Sequence, residues 1–339
     1  MHTRIAPEEK PLGVIEALQQ GFDFLNHHLW LILLPILLDL FLWLGPRLSM
    51  ATLIEQLVDT LFNQPDLPEA LASNAKMVSE NFNSLGADFN LLALLAGPFT
   101  GLPSLFARLD FIPRVAIPHT LINLTSWQSV LLWLSFLIPV GILVGSLWLT
   151  LVVFAYRNEP LAMRAFWGRW GWVWLNVNLY LIVLFIAIVL LSLFFGTLAA
   201  LFMALMGSVG ATLFSILWIL FIGFSVWLSI GLFFVIPAVA LDGVNLASAT
   251  WRSLNVVGRN ALSTMGFLLL IILITEGFSR IWLQMSTQLW GVLVGILGNA
   301  YMGTAIMAAT LLFYQSRYQA WQKKRAMVIS QRSEQNDNA

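Results

Sequence analysis

The sequence predicts an all-α integral membrane protein: a polytopic helical bundle of about six transmembrane helices arranged in three hairpins. The composition gives the first indication, because 59% of the residues are apolar and only 10% are charged, against about 25% charged residues in an ordinary soluble domain. The second indication is that the apolar residues form long continuous runs. Continuous runs favour helices over a transmembrane β-barrel, whose strands alternate apolar and polar positions.

Six runs are long enough to cross a bilayer, since a helix needs about 20 mostly apolar residues to span a hydrocarbon core about 30 Å thick. The predicted spans are residues 29–45, 129–155, 175–195, 212–236, 261–281 and 289–313. They divide the chain into five regions: an N-terminal amphipathic segment (1–28), the first span (29–45), an extracytoplasmic segment (46–128), a five-helix membrane region (129–316) and a basic cytoplasmic tail (317–339).

The positions of Lys and Arg predict the orientation, because short cytoplasmic loops are enriched in these residues. With six spans and both termini in the cytoplasm, twelve of them fall inside and five outside. Residues 1–20 lack the apolar core of a cleaved signal peptide, so the first span is expected to act as an uncleaved signal anchor. The prediction is a multi-pass protein of a bacterial plasma (inner) membrane.

A seventh span at residues 91–106 is the main alternative to this topology. This stretch is apolar, but Gly97, Pro98, Gly101 and Pro103 interrupt it, and a proline inside a helix costs about 3 kcal/mol. If the stretch crossed the membrane, every later span would reverse and the charge count would become five inside against twelve outside. We therefore expect it to lie at the outer interface or to dip partway into the bilayer.

The rest of the outer segment predicts a helical cap. Residues 51–62 place apolar side chains at helical spacing, with Glu55 and Asp59 on the opposite face, and residues 69–82 predict a second, weaker helix. The segment is too small and too rich in proline to be an independent enzyme domain. At the other end of the chain, residues 330–339 are polar and are expected to be disordered.

A threefold theme supports the arrangement in hairpins. A short amphipathic segment precedes a span that enters from the cytoplasmic side at residues 14–28, 160–174 and 244–260. Apolar residues at helical spacing in these segments suggest a face resting on lipid headgroups or on the floor of the bundle. Small-residue pairs, Gly141 with Gly145 and Gly291 with Gly295, permit close helix contact, either within one bundle or between two copies.

Three ionisable residues fall inside predicted spans: Asp39, Glu276 and Arg280. A lone charge at the centre of the membrane costs at least about 2.5 kcal/mol, so each needs a partner. Glu276 and Arg280 are four positions apart on one helical face and can neutralise each other; Asp39 can join them if the first and fifth spans are neighbours. The group is either a proton or ion relay, or a polar substrate contact, or a structural clamp that holds the outer ends of helices.

Other chemistry has little support in the sequence. The absence of Cys removes disulfides, thiolate catalysis and cysteine metal sites. His27 and His28 have no second histidine four residues further on, the spacing that places two metal ligands on one helical face. No phosphate-binding glycine loop with a lysine, GxSxG or HExxH motif is present. We therefore predict no catalytic residue, no cofactor, no metal and no nucleic-acid partner.

Two stretches resemble a known bacterial family. Residues 234–260 read FVIPAVALDGVNLASATWRSLNVVGRN: a span ending near a proline, an Asp-Gly turn, an Ala-x-x-x-Ser helix and an Arg-Asn entry into the next span. This pattern, together with LPILLDLFLWLGP at 34–46, resembles the membrane domain found fused to glycerophosphoryl diester phosphodiesterases and in stand-alone polytopic proteins. The likeness covers about residues 150–320. The hydrolase motifs of the fused enzymes are missing, so the resemblance implies no phosphodiesterase activity.

The sequence therefore predicts a non-enzymatic membrane protein with a structural, assembly or lipid-associated role. Its expected partners are the lipid bilayer and either another membrane protein or a second copy of the chain. A small transporter or channel that uses Asp39, Glu276 and Arg280 is the alternative, and a membrane-embedded enzyme ranks third. What distinguishes them is whether the three side chains line a wet cavity or form a dry clamp.

Overall fold

A computed structural model describes residues 11–62, 79–82, 86, 89–97, 99–115, 118–158 and 162–337, with side chains to residue 331. Its α-helices are α1 (Val14–His27), α2 (Leu33–Leu44), α3 (Ala51–Phe62), α4 (Trp127–Arg157), α5 (Met163–Leu232), α6 (Val235–Asp242), α7 (Leu246–Arg259), α8 (Ala261–Met285) and α9 (Leu289–Asp337). Short 3-10 helices cover Leu29–Ile32 and Leu91–Ala96. The strands β1 (Arg47–Ser49) and β2 (Leu121–Asn123) pair in parallel.

Four helical stretches of the described chain are long and apolar enough to cross a membrane: Trp127–Arg157, Met163–Asp242, Ala261–Met285 and Leu289–Gln331. A fifth is formed by α1 with Leu29–Leu44 if the two pieces count as one span bent by 94°. The all-α prediction is therefore confirmed. By this measure the number of candidate spans is four or five rather than the predicted six.

The first turn of α2 lacks one helical hydrogen bond, at Pro35. Pro35 has no backbone N–H, so it cannot make the helical hydrogen bond to the carbonyl oxygen of Leu31. The indole Nε1 of Trp148 donates to that carbonyl at 3.1 Å instead, and both residues are buried. A side chain of α4 thus replaces the hydrogen bond that proline removes from the first turn of the span.

α5 is a helical hairpin rather than a single rod. A straight helix of its 70 residues would be about 105 Å long, far more than a bilayer accommodates. The backbone breaks at Gly207, where φ is 54° and ψ is −127°, a combination that glycine adopts readily. The rings of Phe195 and Phe221 lie 4.1 Å apart, although 26 residues of straight helix would separate them by about 39 Å. The first arm contains the predicted third span (175–195), and the second arm contains the predicted fourth span (212–236) as far as Leu232.

The described residues pack into two compact units. The loop unit comprises Phe22–Pro160 and Leu270–Ala308, and the hairpin unit comprises Met1–Gly21, Leu161–Leu269 and Ala309–Ala339. The main buried apolar cluster of the loop unit joins the outer segment to α4; its members are Leu48, Leu53, Leu91, Leu124, Val130 and Leu137. A smaller cluster contains Trp43, Val292 and Ile296.

The outer segment has more irregular structure than the predicted helical cap. α3 occupies the residues predicted for its first helix, whereas the predicted helix at 69–82 lies mostly outside the described residues. β1 and β2, which pair Arg47 with Leu121 and Ser49 with Asn123, were not predicted. A strand of three residues is too short to show a clear alternation of apolar and polar side chains. Each strand also depends on a partner distant in sequence for its hydrogen bonds.

In the hairpin unit, the amphipathic helix α7 packs against α5 and α6. The hydroxyl of Ser253 donates to the carbonyl of Gly231 at 2.6 Å and accepts from the backbone N–H of Phe234 at 3.1 Å. It therefore bridges the junction of α5 and α6, where helical hydrogen bonding is interrupted. The amphipathic segment predicted at 160–174 forms no separate helix, because its described residues continue into α5 from Met163.

The C-terminal part of the chain also departs from the prediction. α9 runs unbroken to Asp337, so helix replaces the disorder expected from residue 330; the stretch contains no Gly or Pro to end it. Arg317, predicted as the first residue of the basic cytoplasmic tail, is only 5% exposed. One of its guanidinium nitrogens donates to the carbonyl of Leu12 at 2.8 Å.

Candidate functional site

Asp39 is the most buried of the three predicted site residues, and its side chain lies fully inside the loop unit. Its carboxylate accepts three hydrogen bonds from one short stretch of chain: from the hydroxyl of Ser104 at 2.5 Å, from the backbone N–H of Leu105 at 2.9 Å and from that of Phe106 at 3.2 Å. The Ser104 hydroxyl also accepts from the backbone N–H of Ala107 at 3.1 Å. Both carboxylate oxygens are thus occupied by donors of the outer segment.

The stretch that Asp39 holds follows the 3-10 helix Leu91–Ala96, which lies against α4. A Cβ added at Gly141 would overlap the carbonyl oxygen of Leu94, and one at Gly145 would overlap the side chain of Thr100. The small face predicted to admit a neighbouring helix therefore admits the backbone of the outer segment instead. The buried hydroxyl of Thr100 donates to the carbonyl of Gly97 at 2.7 Å, which satisfies a polar group at this close contact.

The same stretch contacts the part of α9 that belongs to the loop unit. A Cβ at Gly303 would overlap the ring of Pro103, and one at Gly295 would come within 3.3 Å of the Leu105 side chain. Leu105 itself is fully buried. Residues 91–106 therefore pack against α2, α4 and α9 of the loop unit, and the expectation that they form no seventh membrane-spanning helix is confirmed: no helix long enough to span covers these residues, of which all but 98 are described.

Glu276 pairs with a residue that sequence reasoning missed. The Nη2 of Arg108 lies 2.9 Å from both carboxylate oxygens of Glu276, and the Nε and Nη2 of Arg108 each lie 3.0 Å from an oxygen of Asp110. The partner of Glu276 in the structure is therefore Arg108 and not Arg280, which was predicted from spacing along α8. One guanidinium holds two carboxylates, since its planar fork matches their geometry.

Arg280 acts on the same group of charges at longer range. The hydrogen bond from Arg108 holds the pKa of Asp110 below its ordinary value despite partial burial, and the positive charge of Arg280 adds to the effect. The side chains of Asp110 and Glu276 are 58% and 48% exposed, against 21% for Arg108. This ion-pair network is therefore open to its surroundings, in contrast to the buried carboxylate of Asp39.

The three predicted site residues thus do not meet in one cluster. Asp39 on α2 and Glu276 on α8 instead hold two points of the same outer stretch, residues 104–110. The sequence signal that could have revealed this is the Arg108-x-Asp110 pair, which stands in a mostly apolar part of the chain. It was missed because hydropathy assigns Arg108 to a loop, and nothing local links that loop to α8.

A second polar cluster lies in the hairpin unit. Asp242 accepts from Arg252 at 2.6 Å and from the hydroxyl of Tyr314 at 2.8 Å, and the guanidinium carbon of Arg252 lies 4.7 Å from the centre of the Tyr318 ring. Asp242 ends α6 before Gly243, which has φ 65°. The sequence pattern indicates only an Asp-Gly turn at Asp242, so this link between α6, α7 and α9 was not predicted.

Neither cluster has the composition of a metal site. Within the described part of the chain, no three His, Asp or Glu side chains lie close enough together to hold a metal ion. The carboxylates of Asp39 and Asp242 are each bonded to protein donors. The arrangement can fix segments of chain to helices, and it offers no set of free ligands for a cation.

Comparison with known protein families, curated proteins and solved structures finds no match for this chain. Fold and site together define a class: an all-α protein with several apolar helices of membrane-spanning length, in which acidic residues of the helices hold the segment between α2 and α4. The resemblance of residues 150–320 to the phosphodiesterase-associated membrane domain stays a prediction.

Proposed function

We propose that this chain is a non-enzymatic, multi-pass protein of a bacterial plasma membrane with a structural or lipid-associated role. The observation that carries the proposal is the environment of Asp39, whose two carboxylate oxygens are fully buried and occupied by three donors. Such a carboxylate acts as a clamp for the outer segment. The likeness to stand-alone polytopic bacterial proteins is in keeping with this role and is part of the proposal.

A proton or ion relay needs properties of a membrane carboxylate that the surroundings of Asp39 do not provide. The group must change its protonation or occupancy and be reachable from each side of the membrane in turn. Two of the three donors to Asp39 are backbone N–H groups, which cannot exchange a proton during a transport cycle. The clamp therefore accounts for the contacts of Asp39 better than a relay does.

A small transporter is the second candidate, favoured by the broken first span. The helix pair α1 and Leu29–Leu44 is bent by 94°, and secondary transporters build their substrate sites from discontinuous helices near mid-membrane. Asp39 lies in the second half of this pair. Measurement of solute and ion flux into reconstituted vesicles distinguishes the transporter from the structural role.

The experiment compares the full-length chain with Asp39→Asn after reconstitution into vesicles. We expect no flux of protons, monovalent ions or small polar solutes above that of empty vesicles. Flux through the wild type that Asp39→Asn abolishes, with the variant still folded by circular dichroism and gel filtration, would contradict the clamp and favour the transporter. Flux that Asp39→Asn leaves intact would contradict the non-transporting role without involving Asp39.

Six spans with both termini in the cytoplasm complete the proposal, with each arm of α5 crossing the membrane once and the bent pair counting as one span. Since the chain has no native Cys, single cysteines report topology without background. Cysteines at the exposed positions Thr120, Ser208 and Gln288 should react with an impermeant thiol reagent from outside. Those at Ser248 and Ser330 should react only after the membrane is opened, and outside labelling at Ser248 would contradict the topology.

A further inference from the structure

We propose that a cavity of the loop unit, lined by Arg47, Asn90 and Arg108, binds one anion of phosphate or carboxylate size. The inference rests on the proposed function in one respect: it specifies the ligand chemistry of a lipid-associated protein. The cavity has a volume of about 40 Å³. Because one water needs about 10–15 Å³ of such space, the cavity has room for about three waters, or for the oxygen atoms of one phosphate or carboxylate group.

The charge of the lining favours an anion. Two arginines line the cavity, and its described lining contains no carboxylate. The remaining walls are mostly apolar and include Leu42, Phe106 and Phe111. A guanidinium beside an apolar wall binds carboxylate or phosphate oxygens strongly, because the weakly hydrated fork donates two parallel hydrogen bonds and little water competes.

Arg47 supplies a positive charge that no carboxylate of the described residues balances. Its backbone N–H donates to the carbonyl of Thr120 at 2.9 Å, so the pairing of β1 with β2 fixes its position. Arg108 already shares its charge with Asp110 and Glu276. The guanidinium of Arg47, by contrast, forms no ion pair with a carboxylate of the described residues, although the residue is partly buried.

Asn90 supplies an oriented neutral donor. Its Oδ1 accepts from the backbone N–H of Leu48 at 3.0 Å and from that of Leu92 at 3.1 Å. Two N–H donors on this atom identify it as the carbonyl oxygen of the amide. The amide nitrogen of Asn90 is therefore left as a donor at the cavity, and a bound anion would complete its hydrogen bonding.

The position of the cavity admits two sources for the anion. Arg47 follows the outer end of α2 by three residues, where a headgroup phosphate of an anionic lipid in the outer leaflet would lie. A free phosphate or carboxylate from the aqueous phase carries the same oxygen atoms. Both present the chemistry that Arg47 and Asn90 recognise.

The test measures binding to the full-length protein in a neutral detergent, by thermal shift and by titration. One arm uses inorganic phosphate against chloride at equal ionic strength; the other uses short-chain phosphatidylglycerol against phosphatidylcholine. Arg47→Gln and Asn90→Asp are the test variants, and the aspartate keeps the acceptor for Leu48 and Leu92 while it removes the donor. Arg114→Gln is the matched control, since Arg114 is an exposed outer arginine that does not line the cavity.

We expect the wild type and Arg114→Gln to bind at least one of the two anions, and Arg47→Gln and Asn90→Asp to bind it at least tenfold more weakly. Binding of phosphatidylglycerol alone assigns the site to a lipid headgroup, and binding of inorganic phosphate assigns it to a free anion. The proposal is overturned if the wild type prefers neither anion to its control, or if Arg47→Gln weakens binding no more than Arg114→Gln does. Neither result bears on vesicle flux, so this inference and the proposed function fail separately.

Discussion

The carboxylate of Asp39 accepts a hydrogen bond of 2.9 Å from the backbone N–H of Leu105, a residue 66 positions further along the chain. This contact joins a helix of the apolar core to a segment that has little regular structure of its own. Burial of an isolated carboxylate is costly, and the donors of the outer segment offset that cost. The segment gains a fixed position in return, because the backbone N–H groups of Leu105 and Phe106 are bonded to this one carboxylate.

Truncation of the Asp39 side chain should destabilise the protein strongly. Asp39→Ala removes the acceptor for two backbone N–H groups and the Ser104 hydroxyl, and each buried donor left unpaired costs about 1–3 kcal/mol. We expect a loss of at least about 3 kcal/mol in the free energy of unfolding, measured by chemical denaturation in detergent with Trp fluorescence. Asp23→Ala, an exposed aspartate of α1, should change it by less than about 0.5 kcal/mol. Equal stabilities of the two variants would contradict the clamp.

The contact between α4 and the outer segment should not tolerate a methyl group. Gly141→Ala places a Cβ on the carbonyl oxygen of Leu94, and overpacking of this kind costs about 1–3 kcal/mol or more. The matched control is Gly196→Ala in α5, where a Cβ meets no atom within 4 Å; it should be neutral or stabilising by about 0.4–1 kcal/mol. Thermal unfolding of both variants in the same detergent tests the prediction, which fails if Gly141→Ala unfolds at the wild-type temperature.

A double-mutant cycle should identify Arg108 as the partner of Glu276. Arg108→Met and Glu276→Gln should show a coupling of a few tenths to about 1 kcal/mol in unfolding free energy, a modest value because the pair is half-exposed. The parallel cycle with Arg280→Met should show a smaller coupling, since Arg280 is not the residue that bonds Glu276. A larger coupling with Arg280 than with Arg108 would restore the pairing expected from helical spacing.

The stabilisation contributed by Asp110 should disappear in acid. Its pKa is lowered in the folded protein, chiefly by the hydrogen bond from Arg108, so the folded state binds this proton less readily than the unfolded state does. The contribution is therefore fully present above the unfolded pKa of about 3.9 and declines as pH falls through the lower folded value. The free energy of unfolding of the wild type and of Asp110→Asn is measured by chemical denaturation at several pH values. The difference between the two should be constant between about pH 5 and 7 and should shrink below about pH 4. A difference that grows in acid would contradict the lowered pKa.

Several elements of the fold could be predicted from the sequence because they depend on neighbouring residues. α3 spans the predicted residues 51–62, and α8 and α9 begin at the predicted Ala261 and Leu289. An apolar run in a bilayer must satisfy its own backbone hydrogen bonds, which leaves few alternatives to helix. The proline and glycine residues of 91–106 likewise predicted that this apolar stretch forms no long helix.

Only the tertiary structure decided which residues meet. Spacing along α8 predicted that Arg280 pairs with Glu276. In the structure the guanidinium of Arg108 bonds Glu276 instead, and it bonds Asp110 as well. The Gly141–Gly145 face was predicted to permit close contact with another helix. In the structure Gly141 contacts Leu94 of the 3-10 helix, and Gly145 contacts Thr100 just beyond it. Helix formation is set by local hydrogen bonding and hydropathy, whereas the contact of Asp39 with Leu105 depends on closing a loop of 66 residues. Closing that loop costs conformational entropy, and packing across the whole loop unit offsets the cost. No local sequence pattern contains this information.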